Sequence, residues 1–279
     1  MASIHATGQR PSTVIQSGRF PDYRYGFQIV LIACFLLLDS SLGWSQTWSL
    51  DLDDWDLGTV HDAQIRTLPG FQWADLDDRL SVVQDRSQQS PFFRVTYPKG
   101  KIGSENSGAQ FRMTLPKGER YVCEYRVRFG PDFDFRKGGK MPGLAGGRGN
   151  TGGKRPTGDG WSARYMWRDS GRLSLYLYHL DQPGRYGEYF DTTHQFETGR
   201  WYRLRQEVRL NHPDRSDGVI TVWVDGKVVL RLPELRLRGG EKAPIDSFYF
   251  STFFGGSTSS WAPSRDCAMD FGGLTIVRR

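Results

Sequence analysis

The chain has 279 residues, 38% hydrophobic and 14% aromatic, with 33 Gly and 14 Pro, values of a soluble globular protein with one sizeable core. Its 37 Lys and Arg against 31 Asp and Glu give a net charge of +6, scattered without any polybasic run, which suits a polyanionic partner. Helix-turn-helix, zinc-finger and RNP-type patterns are absent, so nucleic acid is not the expected polyanion.

Residues 27–38 form an apolar run too short to span a bilayer comfortably. Arg19 and Arg24 precede it, and Ser40, Ser41, Gly43 and Ser45 follow. This is the form of a secretory signal peptide cleaved near residues 43–46, with an uncleaved N-terminal membrane anchor as the alternative. Residues 1–45 are therefore set apart from a single domain over 46–279, which is expected to be secreted or extracytoplasmic. Contact with a membrane is expected only if the leader is retained. Without the leader, which carries Arg10, Arg19, Arg24, Asp22 and Asp39, the domain keeps 34 basic against 29 acidic residues. An acidic glycan outside the cell is a partner that fits such a domain, which is expected to act as a monomer.

Beyond Trp48, two-residue periodicity dominates and no helix longer than a turn or two is evident. Residues 48–52 read as an edge strand. The nearby Asp51, Asp53, Asp54 and Asp56 lack the Gly and Glu spacing of a calcium loop and read as a solvated acidic face. Strands are predicted at 121–129, 162–168, 172–180, 201–210, 219–230, 247–254 and 268–277. Within the first, Tyr121, Cys123, Tyr125, Val127 and Phe129 share one face, whereas Glu124, Arg126 and Arg128 share the other. Asp225-Gly226 supplies the tight turn of a hairpin over 219–230. Strands separated by Gly, Pro and Asp turns predict an all-β fold, a jelly-roll sandwich of two antiparallel sheets. Cys123 and Cys267 are expected close together in the sandwich, either bridged or as buried thiols.

The glycine-rich segment 137–160 interrupts this rhythm and reads as a loop carrying Lys137, Lys140, Arg148, Lys154 and Arg155. It is either a functional lid or a flexible insertion. In the strand that follows, Ser162 and Arg164 face away from Trp161, Ala163, Tyr165 and Trp167. In the next, Leu173, Leu175 and Leu177 form a core face, so Tyr176 and Tyr178 project from the other. The short turn Asp169-Ser170-Gly171 joins the two strands, and Ser162, Arg164, Tyr176 and Tyr178 can then form one patch, with Lys140 reaching over it. Solvent-facing side chains are the bland reading of such a face. His179 is expected on the core side of its strand, and His194 and His212 show no metal spacing.

Elimination across a uronate needs the same side-chain types: a cation for the carboxylate, a base for the C5 proton and an acid for the departing oxygen. No cofactor or metal is required. The residues Lys137-Gly138-Gly139-Lys140-Met141-Pro142-Gly143-Leu144, then Ser162-Ala163-Arg164, then Tyr176-Leu177-Tyr178 resemble the signature of polysaccharide lyase family 14. That family includes alginate lyases and enzymes of glucuronate polymers, and is related to the family 20 glucuronan lyases of the same jelly-roll fold. The resemblance extends over residues 110–279. It implies a catalytic set of Lys140, Ser162, Arg164, Tyr176 and Tyr178, an acidic polysaccharide substrate, and Lys137, Arg148 and Lys154 as substrate-binding residues. A glycoside hydrolase would need two flanking carboxylates, and the Glu-x-Asp-x-x-Glu strand pattern is absent. A noncatalytic glycan-binding sandwich remains the reading from a different class.

Overall fold

The computed structural model describes residues 47–86 and 88–279. The expected leader over 1–45 lies outside the described residues. The chain order is β1 (Thr47–Ser49), β2 (Gly58–Thr59), α1 (Asp62–Ile65), β3 (Phe71–Asp75), β4 (Leu80–Val83), β5 (Phe92–Tyr97), β6 (Ala109–Gly118), β7 (Arg120–Phe129) and β8 (Gly138–Gly147). It continues through β9 (Gly160–Arg168), β10 (Arg172–Tyr178), β11 (Glu188–Gln195), β12 (Trp201–Arg209), β13 (Gly218–Val224), β14 (Lys227–Leu235), β15 (Ile245–Phe254) and β16 (Cys267–Arg278). One sheet has the order β14-β13-β12-β7-β16-β5-β4-β2, with β1 added to β16, and the other the order β11-β10-β9-β8-β15-β6-β3.

Alternation accounts for both layers. Tyr202, Leu204, Gln206 and Val208 of β12 are buried between less buried neighbours, so one face of the strand packs inward. In the turn between β13 and β14, Asp225 and Gly226 both take positive φ, 49° and 81°, the geometry that matches hairpin twist. Between the sheets, Phe133 and Phe254 stack at 5.5 Å, and Trp167 meets both edge-on at 5.4 and 5.2 Å. Burying each such ring contributes roughly 1.5–3 kcal/mol, more than a typical surface ion pair at about 0–1 kcal/mol. The aromatic layer therefore holds the sandwich together.

One expectation is corrected at the glycine-rich segment. Residues 138–147 are not a loop but β8, an inner strand between β9 and β15. Its glycines are required by packing: a Cβ on Gly139 would lie 2.2 Å from the Trp167 ring, and one on Gly146 would lie 2.4 Å from Trp161 Nε1. The bare backbone lets two indoles press against the strand, and the same bareness hides the strand from any reading of side-chain alternation. Pro142 is tolerated because it sits at a register shift between Met141 and Gly143, and Tyr125 donates its hydroxyl to the Pro142 carbonyl at 3.0 Å. The true loop is the remainder, 148–159.

The cysteine expectation is corrected as well. Cys123 and Cys267 occupy adjacent strands of one sheet, but Cys123 lies opposite Ile276, nine positions along β16 from Cys267, or roughly 30 Å at strand rise. Both are free and buried, and burial pushes both thiols up from their ordinary pKa. A protein spanning 46–279, kept without reductant, should show an unreactive Cys123 while folded and titrate two thiols after denaturation; no titratable thiol after denaturation would contradict the register.

Candidate active site

The outer face of the seven-stranded sheet, turned away from the aromatic core, gathers the polar residues. Met166, Tyr176 and Tyr178 form a small buried cluster separate from the main core, whereas Leu173, Leu175 and Leu177 belong to that core. Lys140 lies opposite Met166 in the β8–β9 pairing, and its Nζ is 2.7 Å from Met166 Sδ and 3.2 Å from the centre of the Tyr176 ring. Arg164 lies opposite Tyr176 and donates through one terminal nitrogen to Ser251 Oγ at 3.2 Å. Ser251 in turn donates to Gln110 Oε1 at 2.9 Å.

Ordinary solvent-facing side chains would be exposed, and these are not. Lys140 is 8% exposed, Arg164 3% and Tyr176 4%. Elsewhere the fold compensates its buried charges: Asp270 holds Arg94 and Arg128 at 2.7 and 2.6 Å, Arg238 holds Glu119 at 2.7 Å, and Arg79 pairs with Asp77. Neither Lys140 nor Arg164 has a carboxylate partner among the described residues. The Nε of Arg164 is buried with no hydrogen-bond partner among the described residues. A guanidinium and an amine kept from water without a carboxylate partner are costly to the fold and match an anionic ligand.

Their titration follows from the same burial. Burial, then the neighbouring Arg164 and Arg168, hold the Lys140 ammonium well below the usual lysine pKa. The Tyr176 ring under Nζ favours the charged form and so opposes that direction. Burial lowers the Arg164 pKa too. Tyr176 is moved the other way, above the usual phenol range, by burial and by its contact with Tyr178, against the pull of Arg164. The geometry thus sets an amine biased towards its free-base form beside a phenol biased towards its protonated form.

The remaining expected residues divide. Ser162 donates to the Asn150 carbonyl at 2.6 Å, and Tyr178 accepts the Gly153 N–H at 2.9 Å while its oxygen stands 3.4 Å from that of Tyr176. Both are fully covered and tie the 148–159 loop to the sheet. Arg148 and Lys154 lie on that loop, beside a cavity of about 490 Å³. Lys137 stands at the opposite end of β8 and donates to Ser260 Oγ at 2.9 Å. His179 is buried, with Nε2 2.9 Å from Glu188 Oε2.

Several outer-face residues had no local signal. Tyr189 lies opposite Tyr176, with ring centres 4.8 Å apart, and the Arg168 guanidinium sits 4.6 Å from the Tyr189 ring centre. Tyr249 of β15 has the Arg164 guanidinium 5.3 Å from its ring centre. Each is brought in by strand order, which alternation within a single strand cannot supply. The bulkier cost of this arrangement is testable: replacing the buried, unpaired Arg164 by Met should stabilise the fold by about 1–4 kcal/mol, read as a raised melting temperature, whereas a lowered one would mean that the guanidinium is already compensated.

Comparison with known proteins adds the following. The sequence model of the family described as polysaccharide lyase 14 matches residues 85–274, more than half of the chain. No curated protein sequence matches. Among solved structures, alginate lyase Aly36B is 26% identical with a TM-score of 0.71, covering 84% of this chain and 96% of its own. The marine PL-14 alginate lyase of Aplysia kurodai is likewise 26% identical, at a TM-score of 0.69 over 83% of this chain and 98% of that one. The endo-β-1,4-glucuronan lyase of the fungus Trichoderma reesei shares the fold, at 11% identity and a TM-score of 0.52 over 80% and 94%.

Proposed function

The chain belongs to polysaccharide lyase family 14, and from that membership we propose that it cleaves a uronate-containing polysaccharide such as alginate or glucuronan by β-elimination. The observation that carries this reading is the buried pair Lys140 and Arg164 with no carboxylate partner among the described residues. Aly36B supports it, having been solved with an alginate trisaccharide as a variant lacking a lysine and a methionine, and with a tetrasaccharide as a variant lacking a lysine and a tyrosine. The present site also clusters a lysine, a methionine and a tyrosine.

In this reading the uronate carboxylate docks on Arg164, whose unpaired Nε and planar fork suit two-point contact. Neutralising the carboxylate stabilises the charge that develops when C5 loses its proton. The free-base Lys140 takes that proton, the electron pair forms the C4–C5 double bond, and the C4–O4 bond breaks. Tyr176, held protonated, gives its proton to O4. The directions of the two pKa shifts favour Lys140 as the base and Tyr176 as the acid. Ser162 and Tyr178 position the loop and the Tyr176 hydroxyl.

Incubation with alginate, polymannuronate, polyguluronate and glucuronan should give the ultraviolet absorbance of an unsaturated uronate with at least one of them. A hydrolase or a noncatalytic binder gives none. Tyr176→Phe should retain the fold and lose about a hundredfold in kcat, and Arg164→Ala should lose kcat as well as affinity; parent rates in both would refute the site. Because the base must be unprotonated, the rate should fall as pH drops through the depressed Lys140 pKa. It should hold on the alkaline side until Tyr176 ionises, above the usual tyrosine value. A bound carboxylate cancels part of the Arg164 repulsion and raises the Lys140 pKa, so the acid limb of kcat should lie at higher pH than that of kcat/KM. Coincident limbs would argue against Lys140 as the base.

We also propose that the protein is exported by its N-terminal segment. Protein recovered from its host should begin between residues 43 and 47, and an intact N-terminus in a membrane fraction would instead indicate an anchor.

A further inference from the structure

A single register row crosses the entire outer face of the seven-stranded sheet. Tyr189 lies opposite Tyr176, Tyr176 opposite Arg164, Arg164 opposite Gly143, Gly143 opposite Tyr249, Tyr249 opposite Arg112, and Arg112 opposite Trp73. Six strand spacings make it about 29 Å long, enough for several linked pyranose rings. The chemistry proposed above uses only the half from Tyr189 to Arg164. Gly143 leaves the middle of the floor without a side chain, and the row then continues for three more strands.

That second half repeats the ingredients of the first. Arg112 donates to the Gly147 carbonyl at 3.2 Å and to Ser247 Oγ at 2.8 Å, yet its Nε is buried without a partner and it holds no carboxylate among the described residues. It lies three strand spacings from Arg164, about 14 Å. Trp73, one of the few exposed large apolar side chains, meets Tyr249 edge-on at 5.4 Å. Arg112, Tyr249 and Trp73 line the cavity of about 490 Å³ that Arg148, Lys154 and Arg155 also border. Its one acid, Asp159, is engaged by Arg148 at 2.9 Å. An aromatic platform beside a guanidinium without a carboxylate partner among the described residues, in a cavity of net positive charge, fits the apolar ring face and the carboxylate of a second uronate.

We propose that Trp73, Tyr249 and Arg112 form a distal uronate subsite, so that the enzyme engages internal stretches of its polymer and gains rate with chain length. The proposal rests on the lyase reading but adds to it. Trp73 lies on the edge strand β3, before the residues that match the family, whereas Arg112 and Tyr249 lie within them.

The test compares the parent with Trp73→Ala and Trp73→Phe on uronate oligosaccharides of increasing length, reading kcat/KM from unsaturated product and affinity by calorimetry. Trp73 is exposed on an edge strand, and circular dichroism checks that the variants stay folded. The Trp73→Ala penalty should grow with length to roughly tenfold, falling mainly on KM, and Phe should recover part of it. A penalty that is absent, or equal at every length, overturns the subsite. If the parent forms no unsaturated product, the lyase reading fails separately, and the length dependence of calorimetric affinity still decides whether Trp73 binds the chain.

Discussion

Two basic side chains, a guanidinium and an amine, buried close together with no carboxylate partner among the described residues, are the constraint around which the rest of the molecule is arranged. Removing one partner from a buried ion pair typically costs several kcal/mol, a large part of the 5–15 kcal/mol by which a domain is usually stable. The Lys140 and Arg164 site resembles such a half-pair by design, since Asp270, Arg238 and Arg79 elsewhere in the fold are all matched. The opposing stabilisation comes from the other face of the same strands. Tyr165 and Trp167 of β9 and Leu173, Leu175 and Leu177 of β10 are all but fully buried in the main core. Each strand thus pairs a stabilising inner face with a costly outer one.

The sheet also explains why the site can be rigid. Lys140, Arg164 and Tyr176 come from three consecutive strands in fixed register, so their spacing is set by backbone ladders and not by loop conformation. Side chains held this way need little reorganisation when charge develops on a substrate. The 148–159 loop enters the arrangement as a cover, fastened at Ser162 and Tyr178. Those two residues sit where a catalytic assignment from sequence would put them, but their hydrogen bonds already have backbone partners.

How much of this was legible in the sequence depended on whether side chains carry the signal. Strands such as β7, β10, β12 and β15 show their inner and outer faces by alternation, and the all-β sandwich follows. β8 was hidden because glycines, selected for contact with Trp161 and Trp167, look like loop composition. The strands β3 and β4 give little signal because they are short, whereas β6 does alternate, with Ala109, Phe111, Met113 and Leu115 on one face. The Lys140, Arg164 and Tyr176 cluster was accessible from face parity and from the family resemblance. Tyr189, Arg112, Tyr249 and Trp73 were not, because which strands lie side by side is a long-range fact. The distance between Cys123 and Cys267 failed for the same reason: being in neighbouring strands does not place two residues at the same height.

Register also decides how the two cations differ in role. An arginine at position 164 remains charged even when burial lowers its pKa, because its ordinary value is so far above neutrality. A lysine under the same burial is brought towards its free base. The pair is therefore asymmetric by chemistry: the guanidinium holds its charge, and the amine is biased towards its free base by burial first and by that neighbouring charge second. In the proposed reaction, a carboxylate on Arg164 cancels part of the repulsion and so makes the amine a stronger base when the substrate is bound. Exchanging the two residues would place the titratable group where permanent charge is needed, so the order of Lys140 and Arg164 across β8 and β9 is as much a part of the site as their identities.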